Sequence, residues 1–139
     1  MSGEAETVLV TAQGFRPGDA SETFVPAVEI GEGTEPVAIE LPAGGDPAAI
    51  AGQVRRTSVI RIAFRSFSDG RGFTLARELR RQGFRGRIRA SGHLVSDQWP
   101  LARASGIDEV EISAAQALRQ PEPSWRLKER RLHYLDVLR

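Results

Sequence analysis

The sequence contains no cysteine, and this absence excludes several kinds of chemistry at once. Without thiols the chain has no disulfide, no thiolate zinc site, no cysteine-ligated iron–sulfur cluster and no thiol nucleophile. Histidine is scarce as well, because His93 and His133 are the only two and lie far apart in the sequence. The sequence therefore predicts no metal site.

Long apolar runs are also absent. No run approaches the roughly 20 residues that cross a bilayer, and the first six residues carry two acids instead of the positive region of a secretory signal. We therefore expect no membrane association and a cytoplasmic protein. The 139 residues, 40% hydrophobic and 27% charged, are typical of one globular domain.

Charge is divided unevenly along the chain. Residues 1–50 hold nine acids and one arginine, a net charge of −8, whereas residues 51–139 have a net charge of +9. Residues 55–89 alone hold eleven arginines and two acids. Neither an aromatic-rich RNA-binding signature nor a helix-turn-helix pattern accompanies this basic stretch, so we predict no nucleic-acid partner.

Strands and helices alternate regularly after residue 58. Strands at 58–64, 87–90 and 109–112 precede helices at 73–82, 96–105 and 113–120. Successive βα units predict a single small α/β domain over residues 1–120, with a mostly parallel sheet that could form a partial-barrel-like arc.

The rest of the chain is less regular. Strands are predicted at 7–11, 24–30 and 37–41, with a loop from Gly14 to Asp19. A helix is predicted from Asp46 to Arg56, because Asp46 is a good N-cap and proline follows it. Residues 121–139 form a C-terminal arm or extension, which either covers its own sheet or packs on a neighbouring subunit. The second alternative leaves a homo-oligomer open.

The first candidate site is the segment from Phe67 to Thr74, between a predicted strand and a predicted helix. Loops at the carboxyl ends of parallel strands are where such sheets bind ligands. Backbone N–H groups at the helix start and Arg71 suit a small anion, with Asp69 orienting Arg71. The alternative is a tight turn in which Asp69 caps the helix and Gly70 and Gly72 supply backbone freedom.

Gly70 and Gly72 also begin a pattern like the dinucleotide-binding fingerprint. Leu75 stands where the third glycine should be, and the Gly-Lys-Ser/Thr of a phosphate-binding loop is missing. Together with the missing cysteines, this predicts a protein without a tightly bound cofactor.

The second candidate site is the segment from Arg89 to Gln98, which joins the next strand to the next helix. His93 binds an anion when it is protonated, and Arg89 supplies a further cation. Asp97 and Gln98 either position His93 or cap the following helix. The alternative for His93 is a hydrogen-bonded surface residue.

Three segments resemble one bacterial family. They are SDGRGFTLAR at 68–77, GHLVSDQ at 92–98 and GIDEVEI at 106–112. They resemble the domain of unknown function 934 family, whose members are often labelled "probable oxidoreductase involved in sulfite reduction". The resemblance spans residues 1–120, although many members have an aspartate where this chain has His93.

The family label implies a role in assimilatory sulfur metabolism. It rests on the occurrence of the family's genes together with those of sulfite reductase. The family has no established catalytic residues, so its residues carry over as motif matches only. These matches are Asp69, Arg71, Gly72, Phe73, Arg77, Gly92, Asp97 and Gln98.

The resemblance and the two loops together give a functional hypothesis. The chain is expected to be an accessory protein of sulfite reduction that binds a small oxyanion, or a redox partner, at the carboxyl edge of the sheet. An oxidoreductase with an external cofactor and a non-catalytic adaptor are the alternatives, and sulfite reductase or a related sulfur-assimilation enzyme is the expected partner. The candidate binding residues are Asp69, Arg71, Gly72, Phe73, Arg89, His93, Asp97 and Gln98.

Overall fold

A computed structural model describes residues 6–18, 22–30, 38–66 and 68–137, the last seven of them by backbone only. The residues between the predicted strands at 24–30 and 37–41, and the motif residue Phe67, lie outside the described residues. Within these ranges seven strands and four α-helices form a single α/β domain. The elements are β1 (Thr7–Thr11), β2 (Gly14–Pro17), β3 (Val25–Pro26), β4 (Ala38–Pro42), β5 (Val59–Phe64), α1 (Arg71–Arg81), β6 (Arg87–Gly92), α2 (Trp99–Ala104), β7 (Glu109–Ser113), α3 (Ala114–Arg119) and α4 (Glu122–Val137).

All seven strands belong to one sheet, in the order β2-β1-β7-β6-β5-β4-β3. Strands β3 to β7 run parallel to one another, which confirms the mostly parallel sheet expected from the βα units. Strand β1 is antiparallel to both β2 and β7, so the sheet is mixed. Among the described strands β2 and β3 are the two edges and do not pair with each other, so the sheet is open.

The predicted loop after β1 is wrong, because residues from Gly14 onward form strand β2. Gly14 has a φ of +113°, a conformation that favours glycine and lets the chain reverse after Thr11. The backbone N–H of Phe15 donates to a carboxylate oxygen of Glu122 at 2.8 Å. Glu122, which is distant in the sequence, therefore stabilises the β1–β2 hairpin. The glycine and proline residues of this segment had instead predicted a loop.

The predicted helix from Asp46 to Arg56 is also wrong. Asp46 does cap the segment, since its Oδ1 accepts from the backbone N–H of Ala48 at 2.9 Å. Only a 3₁₀ turn at Pro47–Ile50 follows, and further turns continue to residue 56. Gly52 lowers the helix propensity of this short segment. The predicted strand at 24–30 is likewise reduced to Val25–Pro26, with a 3₁₀ turn at Ala27–Glu29 after it.

One apolar cluster joins a single face of the sheet to the helices. Ile39, Ile60 and Ile88 form a row across three neighbouring strands, and Leu79 of α1 belongs to the same fully buried cluster. Because side chains alternate along a strand, the intervening residues occupy the opposite face. Those residues include Glu40, Arg61, Arg89 and Glu109. We call this side of the sheet the polar face.

Helix α4 adds the start of the C-terminal segment to the same core. Trp125 is 2% exposed and packs edge to face against Trp99, with their ring centres 6.1 Å apart. Both indole N–H groups have acceptors, Glu129 for Trp99 and the carbonyl of Gln120 for Trp125. The division of the chain at residue 120 stays a prediction.

A bilayer-spanning element was not expected from the sequence. None of the helices in the described part of the chain combines the length and the apolarity that crossing a membrane requires.

Two glycines of the family motifs pack against Phe64 at the end of β5. A Cβ atom on Gly72 would lie 2.1 Å from Cζ of Phe64, and one on Gly92 would lie 2.2 Å from the Phe64 carbonyl oxygen. Gly92 also has a φ of +108°. Neither position has room for a side chain, so both glycines are needed to place α1 and the end of β6.

We expect Gly72→Ala to lower the free energy of unfolding by about 1–3 kcal/mol, because the added methyl overpacks the contact with Phe64. Gly70→Ala is the matched control, since no atom lies within 4 Å of a Cβ built there, and it should change stability by less than about 0.5 kcal/mol. Urea denaturation of the two variants measures the difference. Equal midpoints would contradict the close packing described above.

Candidate functional site

A cleft of about 250 Å³ opens where the carboxyl ends of β4 and β5 meet the start of α1. We call it the carboxyl-edge cleft. It lies where ligands bind in open α/β sheets. Its lining residues are Pro42, Ala43, Gly44, Ala63, Arg65, Asp69 and Arg71.

Asp69 and Arg71 form a two-pronged ion pair at this cleft. Nε and Nη2 of Arg71 donate to the two carboxylate oxygens of Asp69 at 2.9 and 3.2 Å. The Arg71 side chain is 71% exposed, whereas that of Asp69 is only 12% exposed. A Cβ on Gly44 would lie 2.6 Å from Nη1 of Arg71, so the guanidinium rests against glycine backbone. The carboxylate thus fixes the direction of an accessible cation.

The same contact determines the protonation of both groups. The hydrogen bond from Arg71 lowers the pKa of Asp69; desolvation opposes this effect, and the charges of Arg71 and Arg65 reinforce it. The pKa of Arg71 is raised, first by the hydrogen bond with Asp69 and then by its charge. Both groups are therefore charged at neutral pH. Gly70 occupies the N-cap position of α1, and a hydrogen bond from the backbone of Arg71 also lowers the pKa of Asp69, so this carboxylate additionally contacts the start of the helix.

Gly72 and Phe73, two other predicted binding residues, lie in the core. Gly72 is packed against Phe64, and Phe73 is 4% exposed with its ring centre 5.2 Å from that of Phe64. Their side of α1 faces the sheet. They position the start of the helix, and neither of them lines the carboxyl-edge cleft.

Arg89 lies on the polar face in the middle of the sheet, where its side chain is 2% exposed. Its Nε donates to Glu109 at 2.7 Å, Nη1 is 3.3 Å from Glu111, and Nη2 is 2.7 Å from Glu22. Burial acts to lower the pKa of Arg89, and the contacts with Glu22 and Glu109 raise it overall. The structure does not bring Arg89 to Arg71, because a mid-strand residue cannot reach the carboxyl edge.

The contacts of Arg89 belong to a larger network, which we call the charge ladder. Arg61 donates to Glu40 at 2.6 Å and lies 3.5 Å from Glu111, and Arg87 lies 3.2 Å from Glu109. The ring of Phe24 lies over Arg61 at 4.0 Å from its guanidinium carbon. Sequence analysis missed the ladder, although charges that alternate with apolar residues in three predicted strands are its signal.

His93 lines a different cleft, of about 330 Å³, with Val95, Gln116, Arg119 and Gln120. The two glutamines hold the loop in place. Gln116 Nε2 donates to the carbonyl of Leu94, and Gln120 Oε1 accepts from the backbone N–H of Ser96 at 3.1 Å. No lining residue is shared with the carboxyl-edge cleft.

Asp97 and Gln98 are directed elsewhere. Asp97 Oδ1 lies 3.0 Å from Nζ of Lys128, and its side chain is 81% exposed. Gln98 Oε1 accepts from the backbone N–H of Val95 at 3.0 Å and closes a 3₁₀ turn at Ser96–Gln98. Asp97 does not cap the following helix, because α2 begins only at Trp99, after this turn, whereas Gln98 caps the turn itself.

The structure therefore brings together Asp69 and Arg71 and adds Arg65, which sequence analysis missed. The signal for Arg65 was its place directly after β5, the strand whose carboxyl end forms the cleft. Among the described residues no cluster of three or more histidines, aspartates or glutamates could hold a metal ion.

Comparison with known proteins gives one finding. The family model described as "Bacterial protein of unknown function (DUF934)" matches residues 38–134, more than half of the chain and all of the carboxyl-edge cleft. Neither the curated proteins nor the solved structures contain a match.

Removal of the Arg71 guanidinium should raise the pKa of Asp69. In Arg71→Ala the carboxylate loses its strongest partner, so we expect the pKa to return toward its ordinary value of 3.8. The stabilising contact is complete above that value and is lost as pH falls through the lowered pKa. Carbon NMR titration of the Asp69 carboxyl measures the shift. Arg77→Ala, on an exposed position of the same helix, should leave the titration unchanged.

Arg89→Met should destabilise the fold by about 3–5 kcal/mol, because the surrounding carboxylates lose their closest, buried cation and keep only the longer contacts with Arg61 and Arg87. Arg71→Met removes the same charge from an exposed ion pair and should lower the free energy of unfolding far less, because solvent screens such pairs. Urea denaturation at neutral pH compares the two variants. A loss of similar size in both would contradict the different burial of these arginines.

Proposed function

We propose that this chain, which belongs to the DUF934 family of bacterial proteins of unknown function, binds a small oxyanion in the carboxyl-edge cleft and serves sulfite reduction as an accessory protein. The observation that carries the proposal is the guanidinium of Arg71, exposed at the cleft and held in one direction by Asp69.

The donors that remain in the cleft suit an oxyanion. A guanidinium has five N–H donors, and Asp69 takes two of those of Arg71, so three remain. Arg65 lines the same cleft and pairs with no carboxylate among the described residues. Two arginines against one neutralised acid leave a net positive cleft, and planar guanidinium groups match the oxygens of sulfite or sulfate.

The cleft is small and sits beside the first turn of α1. Backbone N–H groups in that turn add to the positive field that an anion meets. A volume of about 250 Å³ accommodates a tetrahedral or pyramidal oxyanion with its water, and it is small for a nucleotide. Members of the family are often labelled as involved in sulfite reduction, and this label makes sulfite the first oxyanion to test.

Within this proposal the partner is sulfite reductase or a related sulfur-assimilation enzyme in the cytoplasm. The chain would bind the oxyanion next to that enzyme. A tagged chain should retain the enzyme from cells grown on sulfate as the only sulfur source, and the retained enzyme is identified by its sulfite-dependent oxidation of an electron donor. Recovery equal to that of an untagged control would remove the partner from the proposal.

Titration calorimetry with sodium sulfite and sodium sulfate tests the binding itself. We expect dissociation constants in the millimolar range, because the site is exposed, and weakening of about three- to tenfold in Arg71→Ala and in Arg65→Ala. Arg77→Ala should bind like the unchanged protein.

The controls separate the outcomes. No heat at tens of millimolar oxyanion, or equal weakening in Arg77→Ala, would overturn oxyanion binding at this cleft. Binding that survives Arg71→Ala and Arg65→Ala but is lost in Arg119→Ala would move the site to the His93 cleft.

A further inference from the structure

Another cleft lies at the opposite edge of the sheet. It has a volume of about 440 Å³ and opens beside the amino ends of β5 and β6, next to the end of α1. We call it the amino-edge cleft. Its lining residues are Val54, Arg55, Thr57, Gln82, Gly83, Arg85 and Gly86.

Two exposed arginines of this cleft have no carboxylate partner within the described residues. Arg55 and Arg85 line it from different segments, one before β5 and one before β6. Eight other arginines do have carboxylate partners within 4 Å in the described part of the chain: Arg61, Arg71, Arg80, Arg81, Arg87, Arg89, Arg103 and Arg126. Arg55 and Arg85 differ from these eight because no described carboxylate neutralises their charges, and they lie together at one cleft.

Three backbone carbonyls at or next to the cleft, those of Gln53, Phe84 and Gly86, are already occupied. Nη1 of Arg80 donates to the carbonyl oxygens of Phe84 and Gly86 at 3.0 and 2.7 Å. Thr57 uses its backbone N–H and its hydroxyl to donate to the carbonyl of Gln53. No aspartate or glutamate lines the cleft. The groups left to meet a ligand are mainly donors, the guanidinium groups of Arg55 and Arg85 and the side-chain amide of Gln82.

The walls of the cleft are fixed before any ligand arrives. A Cβ on Gly86 would lie 2.3 Å from the carbonyl oxygen of Ser58, so this turn is pressed against the start of β5. Arg80 also bonds the carbonyl of Gly106 and the carboxylate of Asp108, and it thereby ties α1 to the segment before β7. A preformed site avoids the cost of ordering loops on binding.

We propose that the amino-edge cleft binds a compact small molecule that carries two anionic groups, one for Arg55 and one for Arg85. The volume lies within the range of small-molecule sites. No aromatic side chain lines the cleft, so nothing offers a stacking surface for a nucleobase or a flavin ring. Phosphate and carboxylate groups share the required chemistry, because guanidinium binds both.

The test uses titration calorimetry with pyrophosphate and, in a second arm, with succinate. The protein carries Arg71→Ala throughout, which weakens binding at the carboxyl-edge cleft. Changes at Arg55 and Arg85 are then measured against this one background, so their outcome does not depend on the proposed oxyanion site. We expect saturable binding of at least one probe with one site per chain. Binding of pyrophosphate alone assigns a bisphosphate ligand, and binding of succinate alone assigns a dicarboxylate.

Variants at the two arginines decide where the probe binds. Arg55→Gln and Arg85→Gln should each weaken binding at least about tenfold, since each removes a charge-assisted contact. Arg77→Gln, an exposed arginine of α1 outside the lining of the cleft, should change it less than about twofold. Both cleft variants change exposed side chains, and matching urea midpoints confirm that they remain folded.

Three results would overturn the proposal. They are the absence of binding of either probe at ten millimolar, equal weakening in Arg77→Gln, and tight binding of polyglutamate through Arg55 and Arg85 while both small probes fail. The last result would identify a docking surface for an acidic protein segment.

Discussion

The ion pairs of Arg89 are the constraint on which the sheet depends. This side chain is almost fully buried between strands, and an isolated charge there would be prohibitively costly. Carboxylates from β7 and from Glu22 surround it, so the strand order and the path of the chain before β3 must agree. Strand β6 cannot shift its register by one residue without moving Arg89 into the apolar cluster. The charge ladder thus determines the order and register of the strands and also contributes to stability.

The position of the loops at the carboxyl edge of the sheet depends on Phe64. It ends β5 and packs against Gly72 at the start of α1 and Gly92 at the end of β6, which fixes both loops relative to the sheet. The motif that contains Asp69 and Arg71 therefore mixes two kinds of residue. Gly72 and Phe73 allow close packing, and the two charged residues face the cleft. A motif shared with a family combines structural and binding residues in the same few positions.

The arginines fall into two groups, and the division explains how a chain with a net charge of +1 can offer anion sites at both edges of its sheet. Eight described arginines pair with acids within the fold, and Arg80 additionally satisfies backbone carbonyls at the amino edge. Arg65, Arg55 and Arg85 lie at cleft surfaces without carboxylate partners in the described residues. The arginines on the polar face of the sheet are thus neutralised by acids, whereas the clefts at its two edges keep a positive charge.

The sequence by itself determined the features that depend on near neighbours. The βα alternation follows from local apolar periodicity, and the contact between Asp69 and Arg71 spans two residues of one turn. Three features depend on the tertiary structure alone. Strands β1 and β2 join the sheet in antiparallel orientation, Arg89 is buried, and Arg55 and Arg85 line the same cleft. Pairing energies between strands that are about a hundred residues apart, as β1 and β7 are, leave no local pattern. Whether a charge is buried depends on the carboxylates that surround it, and those are supplied by other strands.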